Sequence, residues 1–221
     1  DSPTDTVHDA FQLAVHGDRP IGRPVGGTAQ AIREVERADV WEHYQAHYGP
    51  SSLIVAAAGN VDHESVCERV QAALDGSPWD GRSAASPRPR RSTSPSPIAE
   101  HDKDITRRRD VTQAHVIIGC EGLSATDPAG PTMSVLLSVL GGSMSSRLFQ
   151  EVREKRGLAY TTYAFDVAYS DTGTFGMYAG CSPDKVGEVE AIMRAQLEDL
   201  AADGPTEEEM TRVRGQVRGG V

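Results

Sequence analysis

With 221 residues, 38% of them hydrophobic and 24% charged, the chain can bury one sizeable core or two smaller ones and is neither disordered nor fibrous. Its net charge of −10 argues against nucleic acid as a partner and weakly favours basic ligands. No apolar run approaches bilayer length, and Asp1-Ser2-Pro3-Thr4-Asp5 has neither the basic nor the apolar region of a signal peptide, so no membrane partner is expected. Cys67, Cys120 and Cys181 are too scattered for a disulfide framework or a metal knuckle. They read as small buried hydrophobes in a reducing, cytoplasmic setting. Both ends of the chain read as cuts.

Val7, Ala10, Phe11, Ala14 and Val15 recur at helical spacing, which predicts a first helix capped by Thr4 or Asp5 and ended by Gly17. A loop rich in glycine and proline runs on to Thr28, which is placed to cap a short helix over 29–34. A second helix is predicted over 38–48, stopped by Gly49-Pro50. Leu53-Ile54-Val55-Ala56-Ala57-Ala58 reads as a short strand buried on both faces. Gly59-Asn60 then turns the chain into a helix over 63–74, with Val66, Val70 and Ala73 inward. Strand, turn and helix in that order argue for α/β layers.

Composition shifts at 76–100. Ser86-Pro87-Arg88-Pro89-Arg90-Arg91-Ser92-Thr93-Ser94-Pro95-Ser96-Pro97 has no large apolar residue and reads as an extended interdomain linker. Its Arg88–Arg91 cluster offers an alternative reading, an anion or nucleic-acid patch, although no aromatic residue accompanies it. Beyond it, 113–120 predicts a strand, 131–140 an apolar helix and 146–156 a charged helix. Two strands over 158–169 and 174–181 are joined by the hairpin-like Ser170-Asp171-Thr172-Gly173. A long amphipathic helix from Ser182 or Asp184 to 202 follows, and Thr206 with Glu209 has the spacing of a capping box that opens another.

The most informative stretch is Gly141-Gly142-Ser143 through Arg153 to Tyr160, a glycine turn, a charged helix closed by Gly157, and a strand that opens on tyrosine. An arginine fork and a phenol so placed can grip a peptide carbonyl or an oxyanion. Ordinary roles are open to the same residues. Arg153 can pair with Glu151, Glu154 or Asp166 in solvent, and Tyr160 can lie half-packed in a sheet. Gly141-Gly142-Ser143 is a weak phosphate-cradle signal because no lysine follows. His43 and His47 stand at i and i+4 on one helix face, but Glu42 precedes them and no third ligand has a convincing spacing. No metal ligand is assigned in this chain.

Three blocks together resemble the pitrilysin/insulinase family of zinc metallopeptidases, which includes the mitochondrial processing peptidase. They are Phe11 to Thr28 with His16-Gly17-Asp18-Arg19-Pro20-Ile21-Gly22-Arg23-Pro24, then Tyr44 to Val61, then Leu148 to Tyr160. The resemblance implies two similar domains of α+β sandwich type, each a mixed, mainly antiparallel sheet covered by helices, closing like a clamshell on a peptide. It implies that 1–80 is the C-terminal part of a first, zinc-side domain. Residues 81–100 are then the linker, and 101–221 the N-terminal part of a second, substrate-gripping domain. Arg153 and Tyr160 match the family's substrate-holding arginine and tyrosine. Gly141, Gly142 and Ser143 match a flexible turn that becomes a glycine-rich substrate loop in some non-catalytic subunits, which makes them the expected substrate-binding residues.

The family's zinc polarises the scissile carbonyl and activates water from an H-x-x-E-H motif. That motif is absent here and is expected upstream of Asp1, while the corresponding stretch Met133–Leu140 carries no ligand. The expectation is therefore a fragment of a zinc endopeptidase, inactive alone and without bound zinc. Its expected partners are a peptide or unfolded polypeptide substrate and, in a homodimer or heterodimer, a related chain. The alternative is a non-catalytic partner subunit bearing the Arg/Tyr motif. The two sides of the linker are further expected to pack as one hybrid unit or to swap between chains.

Overall fold

The computed structural model describes residues 2–79 and 100–219, so the Arg88–Arg91 patch and all but the last residue of the expected linker lie outside the described residues. Contacts group the described residues of 1–25 and 91–221 into one unit and those of 26–90 into another. The division at 81–100 followed composition, whereas this one follows packing, which draws the first helix to the unit that holds the sheet.

In the first unit, helix α1 (Pro3–His16) begins on a proline, with Ser2 as N-cap and no side-chain capping bond. Neither Thr4 nor Asp5 is the cap. Proline's fixed φ and missing N–H suit the first helical position, and that sets the start. Strands β1 (Ala114–Glu121), β2 (Ala159–Ala168) and β3 (Gly173–Cys181) form an antiparallel sheet in the order β1-β3-β2. The central strand β3 is buried along its whole length. Alternation along it splits the side chains between two faces. Phe175, Met177, Ala179 and Cys181 join a core with Val139 and Leu140 of helix α5 (Gly130–Leu140) and Val189 and Met193 of helix α6 (Val186–Asp203). The other face meets α1, where Phe11 lies edge-on to Phe165 at 5.8 Å. Gly119 makes that seat, because a Cβ there would come within 2.7 Å of the Phe11 ring.

Helix α7 (Glu207–Gly219) opens with the expected capping box, in which Glu209 accepts from the Thr206 N–H at 2.7 Å and Thr206 Oγ1 accepts from the Glu209 N–H at 3.2 Å. The charged helix expected over 146–156 is instead a single helical turn passing into a π-helical turn, Phe149–Glu154, whose widened ladder is closed by the Lys155 N–H on the Gln150 carbonyl at 2.9 Å. Of the three cysteines only Cys181 is buried; Cys67 and Cys120 are exposed. Cys67 sits on a helix without a core behind it, and Cys120 near the end of the edge strand β1.

The second unit carries helices α2 (Ala29–Glu34), α3 (Arg37–His47) and α4 (His63–Leu74). Thr28 Oγ1 caps α2 through the Ala31 N–H at 3.1 Å, and Asp62 caps α4 through the Ser65 N–H at 2.9 Å. Trp41, Tyr44 and Tyr48 stack along one side of α3, and Trp79 Nε1 donates to the Tyr44 hydroxyl at 2.8 Å. Residues 53–58 do not form the buried strand expected. They have no ladder partner among the described residues, and Ile54 is 92% exposed. An apolar run becomes a strand only where a second strand meets its backbone groups.

Candidate functional site

The glycine turn after α5 is a packing device in this structure. Gly141 is buried, and a Cβ on it would fall 2.1 Å from the Ala164 N of β2, so only glycine lets the turn lie on the strand. The carbonyl of Ser143 then accepts from the Ser146 hydroxyl at 2.6 Å and its N–H at 3.1 Å, which starts the next helical turn. Leu148 and Val152 enter the core completely and orient that turn. Phe149 and Arg153, four residues apart, are left on its outer side.

Tyr160 owes its orientation to a fault in the sheet. Ala159 pairs with Cys181 and Thr161 with Gly180, so Tyr160 is the extra residue of a β-bulge. A bulge re-aims the side chain it carries. Tyr160 accordingly turns to solvent, 76% exposed. Its carbonyl, released from the ladder, accepts from Arg153 Nη1 at 3.0 Å.

The Arg153 guanidinium lies over two rings, 4.7 Å from the Phe149 centroid and 4.5 Å from the Tyr160 centroid. Both contacts are within cation–π range, at a site that stays partly open to solvent. Its edge keeps donors beyond the one spent on Tyr160. Glu154 stands at 3.8 Å and Arg153 remains about a third exposed, so that ion pair is weak. The other charges of the turn are tied elsewhere. Lys155 and Arg156 hydrogen-bond to Glu151 and hold its carboxyl below the usual carboxylate range. The site thus has a pre-oriented guanidinium edge beside an exposed phenol, a pair of donors suited to carbonyl or carboxylate oxygens.

Arg153 and Tyr160, the two residues singled out from sequence, are in direct contact. Phe149 was missed, although its i, i+4 spacing from Arg153 was a usable signal. Among the described residues no group of three or more His, Cys, Asp or Glu stands close enough to hold a metal ion. His43 and His47 lie on exposed α3 with ring centroids 4.4 Å apart and form only a pair. The described residues therefore do not fit the zinc that the family resemblance implies. No helix among them is long and apolar enough to cross a membrane.

An antiparallel sheet with helices packed on it makes the sheet-bearing unit a mixed α/β domain. The profile of the peptidase M16 inactive domain matches residues 34–217, and the chain belongs to that family. Among its relatives are uncharacterized zinc proteases of Streptomyces coelicolor, 44% identical over 99% of this chain, and of Mycobacterium tuberculosis, 38% identical over 100% of it. The chain spans about half the length of these relatives, 48% and 50%. The fold is shared with a peptidase M16 inactive domain from Pseudomonas fluorescens, at a TM-score of 0.75 and 18% identity over 100% of this chain and 52% of that one. It is shared too with a protease from Helicobacter pylori, at 0.78 and 18% over 99% and 54%.

Proposed function

We propose that the intact protein is a zinc-dependent endopeptidase of processing-peptidase type, working in the cytoplasm on extended peptides. In this reading 1–80 ends a zinc-side domain and 101–221 begins a substrate-gripping one, with metal chemistry supplied by residues beyond this chain. Arg153 and Tyr160 hold substrate carbonyls or the developing oxyanion, and Gly141 to Ser143 set the turn beside them. The observation that carries the reading is the Arg153 guanidinium held against Phe149 and the bulged Tyr160, with donor edges left for a ligand. A fork already held on the Tyr160 carbonyl spends little entropy when it binds, and it raises kcat to the extent that its bonds strengthen in the transition state.

In the protein at the length of its relatives, R153A and Y160F are each expected to lower kcat by roughly 100- to 1000-fold. The 221-residue chain by itself is expected to cleave no unstructured peptide. Unchanged kcat in both variants, or chelator-sensitive cleavage by the chain alone, refutes the reading. The match to an inactive domain favours one second reading, a non-catalytic subunit paired with a related zinc-bearing chain. An intact protein lacking H-x-x-E-H would decide for it.

A further inference from the structure

Among the described residues, the buried polar side-chain atoms left without a hydrogen bond all lie on one stretch. They are Gln12 Oε1, both ring nitrogens of His16, and Arg19 Nε. His16 is fully buried. Folded proteins pair the large majority of such atoms, so exceptions gathered at one contact mark that contact as the weak one. It is the seat of α1 on the sheet.

Histidines also hold that seat. His8 Nε2 lies 3.1 Å from the Tyr163 hydroxyl, and its ring stacks on Tyr178 at 5.9 Å. His101 Nε2 meets the Ala14 carbonyl at 2.8 Å near the helix end. Apolar grip comes chiefly from Phe11 over Gly119 and Phe165. By contrast, the opposite face of the sheet packs on a buried apolar cluster from α5, the π-helical turn, α6 and α7.

We propose that α1 is an acid-released clasp, which lifts from the sheet when His8 and His16 take up protons while the face packed on α5 and α6 stays folded. Release uncovers Tyr163, Phe165 and Tyr178, which now lie beneath the helix. The charges around each imidazole set the balance. Burial pushes His16 below the ordinary imidazole range; Glu121 of β1 and Asp171 of the β2–β3 turn pull it back up, and Arg19 and His101 push it further down. Burial likewise lowers His8 against the pull of Asp5 and Asp9 on its own helix. Facing His8 from the sheet are the phenols of Tyr163, which burial pushes up, and of Tyr178, which His115 Nδ1 meets at 2.7 Å. Both histidines bind protons more tightly once the helix is free. The clasp therefore has its full stability above about pH 6.5 and loses it as pH falls from there toward the lowered native values.

Hydrogen exchange of the 221-residue chain at neutral pH and near pH 5, corrected for intrinsic rates, tests this. Amides of α1 are expected to lose protection at the lower pH, while those of β3 keep theirs. H16F fills the ring's place without a proton site, and H8Q keeps a side-chain partner for Tyr163 without one. At least one of them is expected to keep α1 protected in acid; H8Q serves alone if H16F does not fold. Three outcomes overturn the proposal: α1 exchange equal at the two pH values, α1 and β3 opening together, or α1 opening in acid alike in the wild type and every folded variant.

Discussion

At the scale of single residues, the best-defined ion pair joins Arg147 to Glu209. Arg147 Nε and Nη2 donate to the two carboxylate oxygens at 2.7 and 2.9 Å, and Nη2 also reaches the Gly204 carbonyl at 3.2 Å. Only 15% and 13% of the two side chains is exposed. Solvent screening takes less from such a pair than from the surface pairs along α6 and α7. Bonding from Arg147, aided by the Thr206 cap, holds the Glu209 carboxyl down to about 2. Because its native pKa lies below the unfolded value, its contribution is complete above about pH 4.5 and is lost as pH falls through that value toward 2. R147A should cost about 2–3 kcal/mol in urea unfolding at neutral pH, since it leaves a shielded carboxylate unpaired. The difference from wild type should shrink below about pH 4; a constant difference would mean that packing, not charge, links α7 to the turn at Arg147.

At the scale of elements, what was legible in the sequence is what is decided locally. Thr28 and Thr206 with Glu209 cap the helices they precede, because a cap and its N–H lie within three residues. Arg153 and Tyr160 were legible as a motif. Their contact depends on a bulge set by pairing with Cys181 and Gly180 on another strand, and on a π-turn that one-helix periodicity does not register. The run at 53–58 failed as a strand for the same reason, since apolar character is local and a ladder partner is not. Exposed to this degree, with Leu53, Ile54 and Val55 open to solvent, it is a template for pairing with another chain. The 221-residue chain should self-associate, and I54K should reduce that association in sedimentation without changing the unfolding of the sheet-bearing unit. Equal association in I54K would place the contact elsewhere.

At the scale of the whole molecule, the two units differ in what stabilises them. In the sheet-bearing unit a buried cluster spans α5, the π-turn, β3, α6 and α7. Between residues 26 and 79 no hydrophobic or charged side chain is fully buried, and Ile32, Val35, Val40, Trp41 and Tyr48 are exposed. Helices of 6, 11 and 12 residues without a core behind them are at the margin of stability in water. Backbone ordering costs about 1–2 kcal/mol per residue, which capping bonds and one aromatic stack do not offset. In the proposed reading, the missing cover is supplied by residues beyond this chain. In the 221-residue chain, amides of α2, α3 and α4 should exchange faster than those of β3 and α6 by at least ~100-fold, as expected for local against global opening. At the length of the relatives, the α3 and α4 amides should slow toward the β3 rates. If they are already as slow as β3 in the short chain, the helices are stable by themselves and the exposed face needs no cover. If they stay fast in the long protein, the cover comes from a separate chain, which is the arrangement the partner-subunit reading requires.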